Sequence, residues 1–133
     1  MTSSLAQAAA IGFGGALGSV LRYELSTWVQ TLAARGFPYG TLVVNVLGCL
    51  LMGFLFVVFS DRVGANAIWR VGLLAGVLGG FTTFSSFSME TFNLIEQGAI
   101  LQAVANVVAS VLLCLAATWL GVAAARSLWP LAS

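Results

Sequence analysis

From residue 39 to residue 59 the chain carries no charged side chain. That is the length an α-helix needs to cross the hydrocarbon core of a bilayer, about 20 residues. Lipid supplies no hydrogen-bond partners, so backbone inside it is confined to helices or a closed barrel. Three more long apolar runs, at residues 5–28, 67–95 and 99–125, take up most of the remaining sequence. Only 7% of the 133 residues are charged, where a soluble domain carries about 25%. The expected fold is an all-α membrane protein of four transmembrane helices. Short turns join the spans, so residues 1–133 are expected to form a single four-span domain with no soluble part. Such a body is small for a wide internal cavity, and a transport function would call for an oligomer.

The rest of the composition excludes several classes. Five arginines, no lysine and a net charge of +1 give no basic patch for nucleic acid. There is no histidine. Cys49 and Cys114 fall in apolar runs, where a free thiol behaves as a small hydrophobe. Two such residues make neither a disulfide framework nor a metal cluster. The first run has no basic start, and no A-x-A site follows a short apolar core, so it reads as a retained span rather than a cleaved signal peptide. No nucleotide loop, haem site or nucleophile triad is present, and Ser85 and Ser86 have no base to activate them. No enzyme is expected.

Within the first span, Gly14 and Gly18 form a small-xxx-small pair suited to close helix contact, and Arg22 continues that face. Arg35, Gly36 and Pro38 mark the first turn. Residues 60–65, with Asp61, Arg62 and Gly64, read as a short polar connection. The third region is the anomaly. A continuous helix over 67–95 would be about 43 Å long, against a hydrocarbon core of about 30 Å. Tilt could absorb some of that excess. The pair Gly79-Gly80 followed by the hydroxyl-rich Phe81-Thr82-Thr83-Phe84-Ser85-Ser86-Phe87-Ser88 points instead to a helix broken near mid-membrane. Unwound backbone at that depth lines cavities or binds ions. The alternative is a kinked packing helix in which Gly72, Gly76 and Gly80 serve close contact. In the fourth span Asn106 and Ser110 lie one turn apart on one face. Trp28, Trp69, Trp119 and Trp129 suit an interfacial belt. Arg62, Arg70 and Arg126 fall on one side of the membrane, with Arg22 and Arg35 on the other. That three-to-two balance is a weak orientation signal and leaves insertion in both senses open.

Several polar residues stand out as site candidates. Two roles are open to Arg22: an electropositive vestibule, or an interfacial anchor paired with Glu24. Asn45 can offer amide donors to an anion or join two helices. Phe84 and Phe87 share a helix face, and their ring edges carry partial positive charge. Aromatic packing is the plainer reading, but hydroxyls alternate with these rings. Glu90 reads as a hydrogen-bond acceptor.

The run from Gly79 to Glu90 resembles the signature of the Fluc (CrcB) fluoride channel family. Residues 14–23 (GGALGSVLRY) and 40–48 (GTLVVNVLG) resemble its first-helix and second-helix motifs. The resemblance extends over essentially the whole chain. It implies a fluoride-selective ion channel that gives passive export of cytoplasmic fluoride, and so resistance to it, from a bacterial inner membrane. It further implies an antiparallel, dual-topology homodimer with two pathways. By resemblance Phe84, Phe87 and Asn45 line the pathway. Thr41, Thr83, Ser85 and Ser110 supply hydroxyls along it, Arg22 stands at the vestibule, and Glu90 is the acid beside the pore helix. Gly79 and Thr82 match metal-binding residues whose carbonyls hold a central Na+. Asn106 stands where some relatives carry a ring, which leaves the ion contacts of the fourth helix open. The competing class, a small multidrug transporter, needs an acid deep in the first helix. Here the only acid there is Glu24, beside Arg22 and near the helix end.

Overall fold

A computed structural model describes residues 2–62 and 67–128. Helix α1 (Thr2–Leu32) is followed by α2 (Tyr39–Val57), which runs on into a π-helical turn, Val58–Arg62. The third span is composite. It comprises α3 (Ala67–Val71), a π-helical stretch (Gly72–Leu78), the three-residue α4 (Gly79–Phe81) and, after an extended pair of residues, α5 (Phe84–Glu96). Helix α6 (Ile100–Leu128) closes the bundle. Four helical stretches are long and apolar enough to cross a membrane: Ser4–Leu32, Tyr39–Ser60, Ile68–Glu96 and Ile100–Leu128. All four expected spans are therefore present. Arg62 ends a helical turn rather than sitting in a loop. Residues 63–65 of the expected connection, and Trp129, lie outside the described residues.

Packing depends on small residues. The buried apolar side chains are Val44, Val57, Leu78, Leu94, Ala103, Ala117 and Ala125, with Thr41, Asn106 and Ser110 buried among them, while Leu and Phe side chains such as Phe13, Leu51, Leu101 and Leu115 are exposed on the outside. Lipid is as apolar as leucine, so helices in it associate through close backbone approach. The α2–α6 seam does this at Gly53 and Gly121. A methyl group on either would overlap the carbonyl of Thr118 or of Leu50 respectively. On the other side α1 meets the third span, and a methyl at Gly18 would overlap the Val77 carbonyl. Gly72, Gly76 and Gly80 face Ala10, Ile11 and Gly15 of α1. Those three glycines thus do serve close contact, as the packing alternative held. The break lies just beyond them.

Turns are short and tightly tied. At the α5–α6 corner Gly98 adopts φ +73°, and the amides of Gly98 and Ala99 donate to Ile95 and Leu94 carbonyls at 2.9 and 2.8 Å. This is a Schellman ending, which a glycine at that position allows. Between α1 and α2 the Gln30 side chain spans the turn. Its Nε2 donates to the Phe37 carbonyl and its Oε1 accepts from the Gly40 amide, both at 3.1 Å.

Candidate functional site

A side chain from the second span sets the break in the third. Asn45 on α2 turns its amide onto the backbone of Thr83. Its Oδ1 accepts from the Thr83 N–H at 2.8 Å, and its Nδ2 donates to the Thr83 carbonyl at 3.0 Å. Together these bonds give Thr83 what a neighbouring strand would give it. Thr82 (ψ 153°) and Thr83 (φ −148°, ψ 116°) are accordingly extended. Thr82 remains tied to the turn before it, donating through both N–H and hydroxyl to the Leu78 carbonyl at 3.1 Å. Within the expected break, which ran from the Gly79-Gly80 pair into the hydroxyl run, it is Thr82 and Thr83 that leave the helix. Both glycines stay helical because the amide that leaves the helical ladder is the one Asn45 takes.

The helix restarts with its own cap. Thr83 Oγ1 accepts from the Ser86 amide at 3.1 Å, the usual service of an N-cap threonine. Four N–H groups at a helix start lack carbonyls one turn earlier. Asn45 takes that of Thr83 and Thr83 takes that of Ser86, which leaves the amides of Phe84 and Ser85 as donors. They sit at the positive end of the α5 dipole, in mid-span.

Thr83 divides two cavities. One, of about 190 Å³, is walled by Arg22, Tyr23, Ser26, Thr41, Thr83, Ser86 and Glu90. Ser26, Thr41 and Glu90 also border a wider polar cleft of about 790 Å³ that extends to Gln30 and Arg35 at the first turn. On the far side of Thr83 runs a groove of about 350 Å³, lined by Asn45, Thr82, Thr83, Phe84, Phe87 and Ser110 with Cys49, Val111, Cys114 and Leu115. Arg22, Thr41 and Glu90 thus meet on the inner cavity, and Asn45, Phe84, Phe87 and Ser110 on the groove. Thr83 belongs to both. Ser85 is exposed beside Thr83, the two hydroxyls 3.2 Å apart.

The groove is apolar in body and polar at points. The Phe84 and Phe87 rings lie 5.3 Å apart, tilted by 50°, and Phe84 is 79% exposed. In the inner cavity the Thr41 hydroxyl donates to Glu90 Oε1 at 2.6 Å, while Glu90 Oε2 is buried with no partner. Arg22 donates through Nε to the Gly80 carbonyl at 3.2 Å, so it reaches the end of the glycine-packed segment as well as bordering the cavity. Two participants escaped the sequence reading. One is Gln30, at the rim of the wide cleft. The other is Thr91, which accepts from Asn106 Nδ2 at 2.9 Å and donates to the Phe87 carbonyl at 2.7 Å. Its signal was its place one turn after Phe87.

The expectation of a metal-binding chain is corrected. Among the described residues no group of three or more His, Cys, Asp or Glu side chains could hold a metal ion. The carbonyl of Gly80, between the nominated Gly79 and Thr82, faces the guanidinium of Arg22, a neighbour that repels a cation. The segment is a helix break, with no cluster of metal-ligating side chains among the described residues.

Comparison with known proteins places this architecture. The chain is 54% identical over 120 residues to the fluoride-specific ion channel FluC of Geobacter metallireducens, which covers 90% of this chain and 96% of that one. It is 52% identical over 116 residues to the protein of that name from Geotalea daltonii, covering 87% and 94%. Over 119 residues it is 51% identical to the one from Coxiella burnetii strain Dugway 5J108-111, covering 89% and 96%. A sequence profile described as "CrcB-like protein, Camphor Resistance (CrcB)" matches residues 9–122. With that match over most of its length, the four-span chain with its Asn45-clamped break belongs to the CrcB-like family.

Proposed function

We propose that this chain is a fluoride-selective ion channel that lets fluoride leave the cell passively, down its electrochemical gradient, and so confers resistance to it. The relatives, bacterial proteins named as fluoride-specific channels over nearly their full length, support this, and they are not enzymes. They also support a bacterial inner-membrane location, as do the four spans. The observation that carries the mechanism is the Asn45–Thr83 clamp. It opens the third span in mid-membrane and leaves helix-terminal amides of α5 at the break. A helix N-terminus attracts anions, and it does so here without a fixed charge.

The path runs from the wide cleft beside Arg35, past Arg22, Thr41 and Glu90, to Thr83, and then along Phe84, Phe87 and Ser110. Fluoride is small and strongly hydrated, so losing its water must be offset by close donors. The hydroxyls of Ser85 and Ser110, the remaining N–H of Asn45 and the ring edges of Phe84 and Phe87 fill that role, while Thr41 and Thr83, whose protons go to Glu90 and Ser86, border the path as fixed polar groups. An anion held by neutral groups can leave again, which conduction requires. Chloride, being larger, does not fit among the same donors. Residues 1–133 act as a single four-span unit. The working form is a homodimer of two oppositely inserted copies, in which a second chain covers the exposed Phe84 face. The near balance of arginines across the membrane supports that arrangement.

Efflux of fluoride from proteoliposomes tests this reading. The parent should pass fluoride and retain chloride. Phe84→Ile and Phe87→Ile should each lower the rate about tenfold while the protein stays assembled, since volume is nearly kept. Parent protein that releases chloride as fast as fluoride would overturn the selectivity. Both isoleucine variants running at the parent rate would remove the rings from the path.

A further inference from the structure

We propose that Asn106 is a positioning residue for anion passage. It ties the Phe87 turn of α5 to the groove-facing hydroxyl of Ser110 on α6. The proposal rests on the reading that Phe87 and Ser110 border the fluoride path. Asn106 is only 1% exposed, so it does not touch the anion. It acts through its partners.

The directions of its hydrogen bonds follow from proton counting. Thr91 has one hydroxyl proton and gives it to the Phe87 carbonyl at 2.7 Å. Toward Asn106, at 2.9 Å, Thr91 can therefore only accept. That places the Asn106 NH₂ against Thr91 and its carbonyl oxygen against Ser110, whose hydroxyl lies 3.5 Å away. The chain runs one way, from Ser110 to Asn106 to Thr91 to the backbone of Phe87. Successive bonds of one sense polarise one another.

Two consequences follow. Among the described residues, the Asn106–Thr91 bond is the one side-chain hydrogen bond between α5 and α6. The preceding residue, Glu90, holds α5 to α2 through Thr41. Adjacent residues thus anchor the ring-bearing helix to two neighbours, and Asn106 supplies the anchor on the groove side. At 3.5 Å the Ser110 bond is at the weak limit, so the Ser110 proton swings to an anion in the groove at little cost. Asn106 keeps that hydroxyl within reach without locking it.

The test compares Asn106→Leu, Thr91→Val and their double variant in proteoliposomes, with fluoride efflux expressed per assembled channel after size-exclusion chromatography. Each single variant should lower the maximal rate about tenfold, the scale expected when one positioning bond is lost. The double should be no slower than the slower single, because both remove the same link. Thr91→Ser, which keeps the hydroxyl, should recover most of the rate. A purely structural role would reduce yield but leave the rate per assembled channel at the parent value, and that result overturns the proposal. So does a double variant whose losses multiply. If Asn106→Leu does not assemble, Thr91→Val against Thr91→Ser decides alone. Parent rates in these variants with a slowed Phe87→Ile would sink the role of Asn106 and spare the pathway. Parent rates in Phe87→Ile and Phe84→Ile as well would sink the pathway itself.

Discussion

Before the break, Gly72, Gly76 and Gly80 bring the third span against α1 until backbone meets backbone. After it, Phe84, Ser85 and Ser88 are exposed, and the groove beneath them stays open. The two halves lie in one apolar region of the sequence and differ in what fills the space between helices. In the first half nothing does, and small residues make a seal. In the second half side chains stand off the neighbouring helix and leave a lined groove. Asn45 sits where the two regimes meet, converting one into the other through two hydrogen bonds to Thr83. A membrane protein this small thus gets both its rigidity and its opening from a single span.

The largest effect should come from spoiling the sealed half. Gly18→Leu would push a side chain into the Val77 carbonyl, which has no flexible end to yield. Overpacking of this kind costs about 3 kcal/mol. Little assembled protein should survive extraction, and thermal unfolding followed by size exclusion would show it. Assembled, heat-stable Gly18→Leu would mean the seal is dispensable, and the contrast between the halves would collapse.

Next in size is the junction. Asn45→Leu strips partners from both backbone groups of Thr83, at roughly 1–3 kcal/mol for each group left unsatisfied. Asn45→Asp keeps an acceptor for the Thr83 N–H, loses the donor to the Thr83 carbonyl and adds a charge that repels an anion. The aspartate variant should therefore unfold at a higher temperature than the leucine variant and yet pass less fluoride. The opposite order in flux would show that the clamp matters and the charge does not.

The smallest expected effect is in the open half. Thr83→Ala removes the cap on Ser86, worth about 1 kcal/mol, and a hydroxyl common to both cavities. Thr83→Ser should restore stability and rate together. Should Thr83→Ala melt like the parent but conduct more slowly, the hydroxyl serves the anion and not the helix.

The four spans, the first turn and the groups around the break were legible in the sequence, because long apolar runs, Gly36 with Pro38 and the Thr/Ser cluster each carry a local physical signal. The place of the break was legible only to within a few residues. Gly79-Gly80 looks weak as helix, yet these residues stay helical, and Thr82-Thr83 opens because a donor and an acceptor arrive from residue 45. The roles of Gln30 and Thr91 were hidden for the same reason, since their partners are set by how the chain folds back on itself. The π-helical stretch Gly72–Leu78 has no pattern in the sequence that would have announced it. The expectation of metal binding came from resemblance alone: among the described residues no cluster of metal-ligating side chains is found, and backbone carbonyls, which every residue carries, leave no mark in a sequence.

The clamp also bears on how the protein is made. An extended residue in mid-membrane has no partner until Asn45 is there to supply one, and unpaired backbone is not tolerated in lipid. A third span leaving the translocation machinery satisfies that backbone most simply as an unbroken helix. It takes its final shape only after the second span is seated beside it. The break in the third span is in this sense an assembly product, formed last, by a neighbour that entered first.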